Sequence, residues 1–79
     1  MPTIFDIFGI RGYFYAGDHE PMHLHVIKGG KEAVIEIGEE LRIRENHGLS
    51  NQDIKKALHL VEAFRDDIEI SWNKYHSNK

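Results

Sequence analysis

Three histidines, His19, His23 and His25, fall within one short stretch, with Asp18 and Glu20 flanking the first of them. Imidazole nitrogens and carboxylates are donors that zinc, nickel and iron sites use, and a second carboxylate often fixes the tautomer of a ligating ring. Side chains alternate along a strand, so His23 and His25 would present both rings to one face. His19 lies in the preceding loop, close enough to fold over that face. Two histidines could equally serve as general acid and base, as in RNA cleavage, because an unperturbed imidazole titrates near pH ~6.5. A third reading involves no chemistry: the rings line the solvated face of a half-buried hairpin, where a cross-strand pair contributes about 0.2–1 kcal/mol. His-x-His is a short motif, and all three readings stay open on residue types alone.

Whatever the rings do, a β-hairpin must hold them. Gly29-Gly30 separates two β-rich runs, residues 22–28 and 31–37. Paired glycines supply the positive φ that both central residues of a type I′ turn need. A two-residue loop there sets Val26 opposite Ala33, Leu24 opposite Ile35 and Met22 opposite Ile37, an all-apolar face. The other face then pairs Ile27 with Glu32, His25 with Val34 and His23 with Glu36. A slip of one residue would place Leu24 against a glutamate, so the pattern specifies its own register. Glu36 therefore joins His19, His23 and His25 in the candidate metal set, with zinc or nickel as the ion.

The remaining elements follow from periodicity. Residues 3–8 and 11–15 read as two more strands, joined at Gly9-Ile10 in a type II′ turn that would face Phe5 with Phe14 and Asp6 with Tyr13. Leu41-Arg42-Ile43-Arg44 alternates apolar and basic residues, as a short edge strand does. Ser50 with Asp53 three residues on forms an acidic variant of the capping box. From there Ile54, Ala57, Leu58, Val61, Phe64, Ile68, Trp72 and Tyr75 recur at three- and four-residue steps. The expected class is α+β: an antiparallel sheet of about four to five short strands within residues 3–44, packed on one long C-terminal helix over 51–75. Such a helix would run about 37 Å at 1.5 Å per residue, longer than so small a sheet covers. It must bend near Arg65–Asp67 or project its last turns, which makes Trp72 and Tyr75 the candidate partner-binding residues. Tyr13 and Tyr15 share a strand face and either cover the sheet or line a pocket. His47, His59 and His76 stand apart and read as surface residues.

Composition bounds the rest. Residues 1–79 are expected to form one domain, since compact domains typically hold ~100–150 residues. The chain is 41% apolar, with four Phe, three Tyr and one Trp to give a core bulk. A chain of this length buries only about 60% of its unfolded surface, so a metal or a partner is a natural supplement to a thin margin. It has no cysteine, which removes disulfides and thiolate metal sites together. No basic secretory n-region and no apolar run approaching ~18 residues occurs, so the expected location is the cytoplasm, away from membranes. The formal net charge is −3, and the basic residues are dispersed. Phosphate binding draws its affinity from clustered cations that release counterions, so direct nucleic-acid binding is disfavoured. No Ser/His/Asp order, Gly-rich phosphate loop or Walker pattern identifies a reaction.

Four segments carry a family resemblance: Met1-Pro2-Thr3-Ile4, Asp18-His19-Glu20-Pro21-Met22-His23-Leu24-His25-Val26, Glu45-Asn46-His47-Gly48-Leu49-Ser50 and Ser71-Trp72-Asn73-Lys74-Tyr75. Together they resemble, over nearly the whole chain, the small bacterial proteins grouped as domain of unknown function 4160. Where that family usually shows two prolines, this chain has Pro21 followed by Met22, which loosens the loop slightly and leaves all three histidines in place. The resemblance implies a small cytoplasmic bacterial protein whose relatives are considered components of toxin–antitoxin-like gene pairs. It assigns no catalytic residue. Its most specific segment coincides with the histidine cluster, and a motif shared at a loop–strand junction tends to be functional. Two functions from different classes are therefore expected. One is an interaction module of such a pair, bound to a small partner protein or to a second copy. The other is a metal-binding or catalytic protein, RNA cleavage included, that uses His19, His23 and His25.

Overall fold

A computed structural model describes residues 3–76. In chain order the elements are β1 (Thr3–Ile7), β2 (Ile10–Tyr13), β3 (His23–Lys28), β4 (Lys31–Ile37), β5 (Leu41–His47), α1 (Asn51–Ala63) and α2 (Arg65–His76). The five strands form one antiparallel meander in the order β1-β2-β3-β4-β5. The fold is thus α+β with its helices at the C-terminal end, as the periodicities imply. Met1 and Pro2, which open the amino-terminal family segment, lie outside the described residues.

The β3–β4 hairpin forms in the expected register, with Val26 facing Ala33, Leu24 facing Ile35, His25 facing Val34 and His23 facing Glu36. Gly29 and Gly30 take φ of 57° and 79°, the signs a type I′ turn requires. Leu24, Val26, Ala33 and Ile35 are fully buried on the core side, each larger aliphatic chain among them contributing about 1.5–3 kcal/mol of burial.

The first hairpin differs from expectation. Its turn is Phe8-Gly9, with φ of 59° and 75°, one residue earlier than Gly9-Ile10. The facing pairs become Ile7–Ile10, Asp6–Arg11 and Phe5–Gly12. Glycine suits the second place of a type I′ turn as well as the first place of a type II′ turn, so packing decides between them. A Cβ on Gly12 would stand 2.5 Å from Phe5 Cζ; only glycine opposite Phe5 lets that ring lie flat on the sheet and reach Phe64, 5.3 Å away between centroids. The cost falls on Phe8, a bulky residue in left-handed backbone, where an L-residue loses roughly 1–2 kcal/mol.

The edge strand runs on to His47, beyond the expected end at residue 44, through a bulge where Ile35 faces Ile43 and Val34 faces Glu45. The single long helix is in fact two. Ser50 caps α1, its Oγ accepting the Asp53 N–H at 3.1 Å. After Ala63 the chain leaves helical geometry at Phe64, φ −103° and ψ 15°. No proline or glycine stands there, so tertiary contacts hold the break: the Phe64 ring lies on Phe5 and Arg65 Nη1 donates to the Gly38 carbonyl at 2.8 Å. The break redirects α2 toward the ends of β2 and β3, where Ile68 and Trp72 are buried. The last turns therefore pack inward and do not project. Among the described residues no helix is long and apolar enough to cross a membrane.

Candidate metal centre

α1 packs on the core side of the sheet, and the histidines alternate onto the other side at the start of β3, where Trp72 of α2 meets the His23 ring. His23 and His25 share that face because they are two apart on one strand. His23 Nδ1 donates to the Pro21 carbonyl at 2.9 Å. A carbonyl can only accept, so in the neutral ring Nδ1 carries the hydrogen and Nε2 presents a lone pair. His25 repeats the arrangement with a carboxylate, Nδ1 donating to Glu32 Oε2 at 2.9 Å. The Tyr13 hydroxyl donates to the same Glu32 oxygen at 3.2 Å, and the Tyr13 ring stacks on His25 with centroids 5.3 Å apart. Burial first, then the neighbouring Tyr15 and Glu32, hold the Tyr13 phenol above its ordinary range, so it remains a neutral donor.

The two Nε2 atoms converge on one oxygen, and His25 Nε2 lies within hydrogen-bond distance of it. Asp18 Oδ2 lies 3.4 Å from His23 Nε2 and 3.3 Å from His25 Nε2. All three ligand atoms fall within 4.8 Å of one another, and the three side chains are 7%, 16% and 17% exposed for His23, His25 and Asp18. Where both Nε2 atoms lack a hydrogen, two lone pairs and a carboxylate oxygen repel at this range in a poorly hydrated site. The cluster therefore calls for positive charge at its centre, as protons on the rings or as one metal ion. Tetrahedral ligands at ~2.0–2.1 Å from zinc stand about 3.3–3.4 Å apart, close to the separation of each Nε2 from the Asp18 oxygen. Three protein ligands would leave a fourth tetrahedral position for water, the pattern of zinc sites that do chemistry rather than hold structure.

Only part of the sequence-derived set meets here. His23 and His25 do. Glu36 faces His23 in the register, yet its carboxylate turns to Arg44, whose Nη2 donates to Oε1 at 3.4 Å, while the His23 ring turns the opposite way toward Pro21. His19 is exposed and stands outside the cluster. Asp18 takes the carboxylate position because its loop closes locally: its Oδ2 accepts the Tyr15 N–H and its N–H bonds to the Tyr15 carbonyl, each at 2.9 Å. That β-turn from Tyr15 to Asp18, with Gly17 inside it and an aspartate at its last position, was the missed signal. Glu32 was also readable, since it lies diagonally across from His25 once Val34 is its partner.

Trp72 is 1% exposed, its ring against Phe14 and His23, so its surface is spent inside the molecule. Tyr75 is half-exposed beside Phe14. His76, expected at the surface, stacks on Trp72 at 4.0 Å and sets Nε2 2.6 Å from the Asp18 carbonyl.

The fold and site together define a small α+β domain with a two-histidine, one-carboxylate cluster at a loop–strand junction. A family model described as Domain of unknown function (DUF4160) matches residues 9–73, a span that includes Asp18, His23 and His25, and the chain belongs to that family. No match is found among curated proteins or among solved structures.

Proposed function

We propose that this protein binds a divalent transition metal ion, zinc before nickel, through Asp18 Oδ2, His23 Nε2 and His25 Nε2. The observation that carries the proposal is the convergence of those three atoms while each ring's Nδ1 is already committed to an acceptor. Pro21 and Glu32 then act as the outer partners that fix ring orientation and tautomer, a role whose loss typically costs 10- to 100-fold in affinity. The test is calorimetric titration of the metal-free protein with zinc and nickel. His23→Ala, His25→Ala and Asp18→Asn are each expected to remove most of the zinc affinity, and Glu36→Gln to leave it unchanged. Zinc binding no tighter in the parent than in the His23→Ala, His25→Ala double variant would retire the site, leaving Asp18 as a counter-charge between two protonated rings.

A partner protein, as in a toxin–antitoxin-like pair, is the second reading. Burial of Trp72 removes the projecting helix on which it first rested. What favours it now is Phe8, 74% exposed at a turn tip, beside a hollow of about 540 Å³ lined with Lys56, His59, Leu60 and Ala63. Co-expression with the product of a neighbouring gene tests it: Phe8→Ser should abolish co-purification, and a parent that elutes alone as a monomer counts against it.

A further inference from the structure

The three ligands are not held alike. His23 and His25 sit on a strand hydrogen-bonded to neighbours on both sides. Asp18 sits on the loop between β2 and β3, and apart from its local turn with Tyr15 that loop is gripped by α2. Trp72 Nε1 donates to Glu20 Oε2 at 3.0 Å. The His76 ring lies between two carbonyl oxygens, Nε2 at 2.6 Å from Asp18 and Nδ1 at 2.7 Å from Trp72; carbonyls only accept, so a neutral ring donates to one of them and a ring with both N–H groups to both. Trp72 and His76 are one helical turn apart, their rings stacked at 13°, so they act as one surface. That surface holds the loop at Asp18 itself and again two residues later, without touching a ligand atom of the loop.

We propose that α2 is a clasp that sets the reach of Asp18, so that metal binding and docking of the C-terminal helix are one coupled equilibrium. The inference rests on the metal reading above and adds its regulation. An ion that draws the Asp18 carboxylate between the two rings fixes the loop in the position that α2 grips, and so favours the docked helix. An undocked α2 frees the loop and leaves only the His-x-His pair. Linkage makes the effect reciprocal: whatever factor docking adds to metal affinity, metal adds to docking. Trp72 also lies edge-on to the His23 ring at 5.4 Å, which places the chain's one tryptophan as a reporter of the ligand it abuts.

Glu20 is the residue to change, because it is exposed, lies outside the ligand set and contributes the carboxylate that α2 holds. Zinc affinity of the parent, Glu20→Ala and Glu20→Gln is measured by calorimetry, and amide exchange over residues 66–76 is followed with and without zinc. Zinc is expected to slow exchange in α2, and Glu20→Ala to weaken zinc by up to about tenfold, the worth of one hydrogen bond to a charged group. Glu20→Gln keeps an oxygen for the indole N–H and should restore most of that loss. If Gln is as weak as Ala, the carboxylate acts by its charge and the clasp is overturned. It is equally overturned if Glu20→Ala binds like the parent and zinc leaves α2 exchange unaltered, while Asp18→Asn still abolishes binding; the site then survives alone. A parent that binds no zinc overturns both.

Discussion

The two helices are nearly the same length, thirteen and twelve residues, and they do different work. α1 lays Ala57, Leu60 and Val61 into the sheet's apolar face and begins at a capped serine. Its contribution is burial, the non-directional term that decides whether a small domain folds at all. α2 buries only Ile68 and Trp72; beyond the Arg65 bond to Gly38 and the Tyr75 contact with Phe14, it reaches the loop that carries Asp18 through directed hydrogen bonds. Removing apolar surface from α1 should cost the fold, whereas removing contacts from α2 should cost the site first. The difference teaches that position along a hydrophobic stripe does not fix the role of a residue: Val61 and Trp72 lie on one sequence periodicity and serve different ends.

Three measurements break or sharpen that contrast. The largest effect is expected from Val61→Asp, which places an unpaired charge where the side chain is fully buried. Its cost exceeds about 4 kcal/mol, against a total of about 4–12 kcal/mol at 0.05–0.15 per residue; circular dichroism should show no cooperative melt at 37 °C. Trp72→Ala comes second. Truncating a buried Trp costs about 3–5 kcal/mol, but here the loss should fall on α2 and the Asp18 loop. The expected signature is lost zinc affinity and fast exchange over residues 66–76 while β3 and β4 stay protected. Should both variants lose the sheet together, the two helices are one cooperative unit and the contrast is wrong.

The smallest effect concerns how α1 is tied to the hairpin. Lys28 Nζ donates to Asp53 Oδ1 at 2.9 Å, and that ammonium holds the Asp53 carboxyl below its ordinary range. A lowered carboxylate value adds stability that is full above the ordinary ~3.9 and is lost as pH falls through the lower folded value. Asp53→Asn should therefore melt slightly below the parent at pH 7, with the gap closing in acid past that point. A gap that does not change with pH would leave α1 held by its apolar stripe and cap alone.

What the residues revealed in advance follows the same division. The Gly29-Gly30 hairpin was legible because turn chemistry and apolar alternation agree on one register, and with it came the shared face of His23 and His25. The Phe8-Gly9 turn was not, because Gly9 fits two turn types and the deciding contact, Phe5 over Gly12, is long-range. The break at Phe64 was misplaced by a residue for a related reason: it rests on Phe5 and on the Gly38 carbonyl rather than on a helix-breaking residue. Asp18 and Glu20 were seen as neighbours of the histidines, but their tasks depend on a loop geometry and a helix more than fifty residues away.

The meander order of the sheet has a consequence for how the molecule assembles. Every strand pairs with its neighbour in sequence, so the sheet can close hairpin by hairpin over short loops, the contacts that cost least chain entropy and form fastest. The bonds from Trp72 to Glu20 and from His76 to Asp18 span 52 and 58 residues. The two histidine rings are thus in place once β3 meets β4, while the grip of α2 on the Asp18 loop awaits the slowest and most entropically demanding closure in the chain. Amide exchange over 66–76 reads that closure too, and on this ordering α2 opens before any strand.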